Sequence, residues 1–225
     1  MTYKKIIIIV AMQQEYELMR HILQNTSEQN GTMQGTVGNH NVMLLQCGIG
    51  KVDAAVRTTE SIASFRPDAI INSGVAGGLG KGINVGHVVI GTEYVYHDVW
   101  CGSGVWGQVQ GFPERFVADK HLLAAAKAIQ TEHVHFGLIC TGDQFICNVA
   151  MIESIRAHFA EGLAVDMESC AIAQVCHMHQ IPFLSLRVIS DTPGMEHDNT
   201  AQYNDFWKVA PKTTFEILRQ ILGAL

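Results

Sequence analysis

Three carboxylates stand where hydrophobic runs of this chain give out. Leu163-Ala164-Val165-Asp166-Met167-Glu168-Ser169 carries acids within an apolar segment, and Arg187-Val188-Ile189-Ser190-Asp191 closes a second one. A third run, Lys5-Ile6-Ile7-Ile8-Ile9-Val10-Ala11, leads through Met12-Gln13-Gln14 to Glu15 on the first turn of the helix that follows. Burying an ionised acid is costly unless something compensates, so acids at such positions are expected to work on a ligand. Paired carboxylates without a metal or a covalent nucleophile suit cleavage of a glycosidic bond. One acid protonates the leaving group while another activates water beside an oxocarbenium-like carbon. Thr141-Gly142-Asp143-Gln144-Phe145-Ile146 adds a flat apolar surface. Phe145 can stack on a heterocycle while backbone groups at Ile146 read its edge, and a nucleoside fits both halves.

Competing chemistries lack their spacing. Gly48-Ile49-Gly50-Lys51 and Gly74-Val75-Ala76-Gly77-Gly78-Leu79-Gly80 permit close backbone approach by a ligand, but Lys51 precedes Val52 and Lys81 precedes Gly82, where a phosphate-binding loop needs Ser or Thr. His97-Asp98, His133-Val134-His135 and Cys176-His177-Met178-His179 do not copy zinc motifs, so neither metal nor cofactor is expected. A nucleophile at Cys140 or Ser190 lacks the Gly-x-Ser-x-Gly elbow and an assigned base.

The elements that must position these residues follow from composition and periodicity. With 225 residues, 48% hydrophobic and 16% charged, the chain is expected to bury one large core as a single domain spanning 1–225. A net charge of -6 without a basic stripe argues for a small-molecule partner and against nucleic acid. The apolar opening is about seven residues long, short of the roughly 20 that a membrane span needs. Six cysteines scattered without a CxxC pair read as free thiols in a reducing compartment, so a soluble cytoplasmic protein is expected. Strands are expected near 5–11, 31–37, 41–47, 68–73, 86–97, 135–141, 163–166 and 182–190. Helices are expected near 13–24, 51–64, 119–130, 149–158, 167–179 and 203–222. Continuously apolar strands such as Asp68-Ala69-Ile70-Ile71-Asn72 are covered on both faces, which gives a three-layer α/β/α sandwich. The segment 31–47 reads as a hairpin about Gly38-Asn39-His40-Asn41, so the central twisted sheet is mixed. Open α/β sheets bind ligands at strand carboxyl ends, where the acids lie.

Taken in order, Ala11-Met12-Gln13-Gln14-Glu15, Gly48-Ile49-Gly50-Lys51-Val52, Ser73-Gly74-Val75-Ala76-Gly77-Gly78, Tyr96-His97-Asp98, Gly142-Asp143-Gln144-Phe145-Ile146, Ala164-Val165-Asp166-Met167-Glu168 and Arg187-Val188-Ile189-Ser190-Asp191 resemble the 5′-methylthioadenosine/S-adenosylhomocysteine nucleosidases, which have a nucleoside phosphorylase-like fold. The resemblance runs from about Ile6 to Leu222. It implies hydrolysis of 5′-thio-substituted adenine nucleosides to adenine and a thioribose. It also implies Asp191 as general acid at purine N7, Glu15 as activator of water, Glu168 as acceptor of the ribose hydroxyls with Met167 packed on the sugar, and Arg187 as a holder of Glu15 and the water. Ile146, Val165 and Ser190 join Phe145 around the base, Asp166 is a further substrate-binding residue, Gly77 admits the backbone to the ligand, and Met12, Ile49 and Tyr203 surround the 5′ substituent. Phosphorolysis would need arginines beside C1′; the Gly74 to Gly78 segment has none, and Glu15 would repel phosphate.

The glycine- and tryptophan-rich loop after Asp98 departs from the family pattern, which leaves a futalosine or 6-amino-6-deoxyfutalosine hydrolase as the alternative activity. A non-catalytic nucleoside-binding protein is the other alternative, and it would not need Glu15 together with Asp191. In the family this loop crosses to a partner subunit; here its Val105, Trp106 and Phe112 motivate the expectation of a homodimer. The composition of the stretch Thr192 to Thr200 fits a lid over the substrate and a plain surface loop equally.

Overall fold

The computed structural model describes residues 3–29, 32–129, 131–193, 199–209 and 213–225. Its organising strand is β1 (Lys5–Val10), in which Ile6, Ile8 and Val10 face one buried cluster while Ile7 and Ile9 face another. Consecutive isoleucines leave no polar face for water, so the strand must be covered on both sides. β1 lies parallel to β4 (His40–Gln46) on one side and to β5 (Ala69–Gly78) on the other. Beyond β4 the sheet continues antiparallel through β3 (Thr32–Val37) to β2 (Gln24–Gln29), with the hairpin turn at Gly38-Asn39.

On its other side β5 pairs with two strands. β10 (Phe183–Asp191) runs parallel to it, and β9 (Gly162–Asp166) meets its far end antiparallel. β9 continues to β8 (Val134–Thr141), β8 to β6 (Val88–Tyr96), and β6 returns antiparallel to β10. Five strands thus close into a ring that brings the ends of β5, β9 and β10 together, a closure that local periodicity does not announce. The short β7 (Phe116–Val117) pairs with β6 and completes a mixed ten-stranded sheet.

Helices cover both faces. α1 (Gln13–Met19), α3 (Lys120–Lys127), α6 (Asn199–Val209) and α7 (Thr213–Ala224) contribute to the cluster holding Ile6, Ile8 and Val10. α2 (Lys51–Phe65) and α5 (Ser169–His179) contribute to the cluster of Ile7 and Ile9. α4 (Val149–His158) packs Ile152 and Ile155 into a third, smaller cluster beside β8. This is the expected layered mixed α/β arrangement. No helix among the described residues is long and apolar enough to cross a membrane.

The helix expected near 203–222 is described as α6 and α7, and residues 210–212 between them lie outside the described residues. Two local expectations need correction. The helix expected near 13–24 ends at Met19, and a 3-10 turn over Arg20–Ile22 delivers the chain into β2. The Gly74 to Gly78 segment is not a loop after a strand but the last part of β5, held by β10 and β9.

Candidate active site

Glu15 occupies the third position of α1 and reaches back over the helix start, as an acid there does when it caps the first N–H groups. Its Oε2 accepts from the amides of Ala11 (2.8 Å) and Met12 (2.9 Å), and its Oε1 accepts from the amide of Val75 (2.9 Å). The ends of β1 and β5 therefore fix one carboxylate between them. Burial pushes the Glu15 carboxyl above its ordinary range, opposed by the charge of Arg187 and by the three amides.

Asp191 ends β10 opposite Gly77, just past an irregularity between Ile189 and Asp191 that shifts the register. Such a bulge re-aims the side chains next to it. Asp191 is buried, and Ser190 Oγ donates to its Oδ1 at 2.7 Å. Glu168, the residue before α5, accepts the Gly50 amide on Oε1 at 2.9 Å. Burial pushes Glu168 up to about 7, with Arg187 pulling it back and Asp166 adding to the rise.

All three carboxylates line one cavity of about 190 Å³. Of the other catalytic and binding residues implied by the resemblance, all but Arg187 line it as well: Gly77, Phe145, Ile146, Val165, Asp166, Met167, Ser190, Met12, Ile49 and Tyr203. Ala11, Val75, Ala76 and Gln144 complete the lining. They adjoin residues already singled out, and nothing in their own types marked them. Phe145 is half exposed, with Tyr203 meeting its ring edge-on at 5.7 Å. Tyr203 also donates to Met12 Sδ at 3.3 Å.

Arg187 belongs beneath this cavity, not in its wall. It is fully buried, and its Nε pairs with Asp166 Oδ2 at 2.7 Å. Its Nη2 bonds to Asn72 Oδ1 and stands 3.7 Å from Glu168 Oε2. Glu15 is gripped by backbone amides, and Arg187 acts on it through its charge. A Cβ at Gly74 would collide with both Arg187 Nη1 and Glu15 Oε1, so only glycine lets the guanidinium and the acid come this close. Asp166 borders the cavity, and its oxygens take the hydroxyls of Thr141 (2.5 Å) and Ser169 in addition to Arg187. Asn72, Ser169 and Ser185 knit this floor, with Ser169 Oγ and Ser185 Oγ 2.7 Å apart. The sequence signal for it was present: Asn72 and Ser73 interrupt an otherwise apolar strand.

The remaining candidates fall outside the cavity. No cluster of three or more His, Cys, Asp or Glu residues that could hold a metal exists among the described residues. Burial pushes the Cys140 thiol up, which deprives it of nucleophilic thiolate. Of the crossing-loop residues, Val105 is exposed, whereas Trp106 and Phe112 turn toward their own chain. Trp106 stacks on His158 at 4.3 Å and donates to the His97 carbonyl at 3.0 Å. Of the suggested lid over Thr192 to Thr200, residues 194–198 lie outside the described residues.

Comparison with known proteins fits this geometry. Residues 5–223 match the Phosphorylase superfamily. A 5′-methylthioadenosine/S-adenosylhomocysteine nucleosidase of Anoxybacillus flavithermus is 39% identical over 98% of this chain and 98% of its own length. The structure of such a nucleosidase from S. pneumoniae with the transition-state inhibitor MT-ImmA superposes with a TM-score of 0.93 at 37% identity, covering 98% of this chain and 99% of that one. The enzyme from Neisseria meningitidis in complex with methylthio-immucillin-A gives a TM-score of 0.93 at 39% identity, covering 99% and 100%.

Proposed function

This chain belongs to the phosphorylase superfamily and, within it, to the 5′-methylthioadenosine/S-adenosylhomocysteine nucleosidases, and on that premise we propose how its own residues perform the reaction. The enzyme hydrolyses the N-glycosidic bond of 5′-methylthioadenosine and S-adenosylhomocysteine, releasing adenine and the thioribose. Asp191 gives a proton to purine N7, so the electron pair of the breaking C1′–N9 bond leaves on a neutral base. Glu15 takes a proton from water as its oxygen bonds to C1′. Glu168 accepts the ribose hydroxyls, and Phe145, Ile146 and Val165 enclose the base. Each proton transfer is worth about 10² to 10⁴ in rate.

One observation carries this reading: Glu15, Glu168 and Asp191 border a single cavity with an apolar wall. The raised affinity of Glu15 for a proton makes it a stronger base than a solvated carboxylate. Water is the nucleophile because the guanidinium nearest Glu15, that of Arg187, is already committed to Asp166, and a phosphate dianion would face the Glu15 charge. The test is adenine release from methylthioadenosine with and without inorganic phosphate. Equal rates and free methylthioribose are expected; a requirement for phosphate would overturn the reading.

The reading extends to a cytoplasmic homodimer. Two exposed thiols, Cys101 and Cys147, suit a reducing compartment. Ile49, Val52, Val56, Trp100 and Val105 expose apolar surface of the kind an interface covers. Sedimentation at micromolar concentration should give twice the chain mass, and a monomer would refute it.

A further inference from the structure

The first turn of α2 adds side-chain contacts to two parts of the active site whose backbones already meet where Thr141 pairs with Asp166 and the Gly142 amide donates to the Asp166 carbonyl. Gly50, with φ of +93°, precedes the helix without a side-chain cap, which leaves its first amides to outside partners. The Gly50 amide goes to Glu168, and the Lys51 amide goes to Asp143 Oδ1 at 2.8 Å. Two carboxylates from separate segments thus share one helix start, where the macrodipole favours negative charge. Asp143 opens the turn that carries Gln144, Phe145 and Ile146 into the cavity wall.

The Lys51 side chain closes the circuit. Its Nζ pairs with Asp98 Oδ2 at 2.7 Å and stands 3.8 Å from Asp143 Oδ2, and the Asp143 amide donates to the same Asp98 oxygen at 2.9 Å. Lys51 and Asp98 are each mostly buried, and Lys51 Nζ also lies 5.4 Å from the centre of the Tyr96 ring. There is little slack: a Cβ on Gly50 would stand 2.9 Å from Asp143 Oδ1, and one on Gly142 would run into the His97 ring.

We propose that Lys51 is a positioning residue for this reaction: by clamping Asp98 and Asp143 to the start of α2, it fixes the base-enclosing turn at Phe145 and Ile146 relative to the Gly50 amide that orients Glu168. The proposal rests on the reading that Glu168 holds the sugar and Phe145 the base. Both contacts exist in the bound ground state as well as in the transition state, so loosening them weakens uniform binding and appears in KM. Lysine fits the task because its ammonium donates in several directions at once to carboxylates that approach from different elements.

The test is steady-state adenine release from methylthioadenosine by wild type, Lys51→Met, Asp98→Asn and the double variant Lys51→Met/Asp98→Asn. Each single variant should raise KM about tenfold, the worth of a lost charge-assisted contact, with kcat within about threefold of wild type. The double variant, which removes both charges of the Lys51–Asp98 pair, should be no worse than the poorer single one, because both changes break the same network. A KM within about twofold of wild type in both single variants would overturn the proposal, as would multiplicative effects in the double variant. A fall in kcat at unchanged KM would overturn it too, since that marks less folded enzyme or a contact made only in the transition state, and not a displaced wall. Wild type that releases no adenine would instead overturn the assignment of the reaction itself.

Discussion

Replacing Arg187 by methionine tests the electrostatic floor of the site most directly. Side-chain length is nearly kept, but one buried guanidinium that serves Asp166 at 2.7 Å, Glu168 at 3.7 Å and Glu15 through its charge is removed. Breaking a buried ion pair from one side costs about 3–5 kcal/mol. For a chain of this size that lowers Tm by roughly 6–20 °C, at about 2–4 °C per kcal/mol. The loss should depend on pH. Arg187 holds the Glu15 and Glu168 carboxyls down, so without it their folded-state pKa values climb further above those of the unfolded chain. The native variant then binds protons that its unfolded chain does not. Its stability therefore falls as pH rises from the unfolded value of about 4.3 through the raised folded ones, by up to about 1.4 kcal/mol per unit for each group. Urea unfolding of wild type and variant at pH 5 and pH 8 should show a small gap at the lower pH and the full gap at the higher. A gap equal at both would assign the cost to lost packing and hydrogen bonds and refute the electrostatic argument.

Asp191→Asn and Glu15→Gln should each lower kcat/KM for adenine release by about 10² to 10⁴, and near-normal turnover in either would remove that residue from proton transfer. Asp191→Asn should melt close to wild type. Glu15→Gln should not, because Glu15 accepts three amides through both oxygens and an amide side chain accepts at one end only. Since burial raises the Glu15 pKa and the base must be ionised to work, kcat/KM should fall with decreasing pH through a midpoint above about 4.3; an acid limb at or below that value would contradict the assignment. Gly74→Ala should destabilise the protein by about 1–3 kcal/mol and impair turnover, because the new Cβ meets Arg187 and Glu15, and wild-type melting together with wild-type activity would show that the floor yields.

What was legible in the sequence, and what was not, divides along the same physical line. An acid at the end of an apolar strand stands out locally, so Glu15, Glu168 and Asp191 could be found without coordinates, and consecutive buried isoleucines in β1 announced a sheet covered on both faces. β2 was missed because Gln24-Asn25-Thr26-Ser27-Glu28-Gln29 has no apolar alternation; as an edge strand it is held by its backbone pairing to β3. The surroundings of Arg187 were hidden for a related reason. Its nearest carboxylate comes from the end of β9, brought alongside by a ring of strands whose closure leaves no periodic trace. The partners of Asp166 were hidden in the same way: its oxygens take Thr141, Ser169 and Arg187, which come from three other places in the chain. Sequence order thus identifies which acids must be compensated, but the compensation is long-range. In this protein much of it is backbone: amides of Ala11, Met12 and Val75 for Glu15, and of Gly50 for Glu168. Backbone donors carry no sequence signature, which is why the glycines that admit them, Gly50 and Gly74, were the nearest visible trace of how the carboxylates are held.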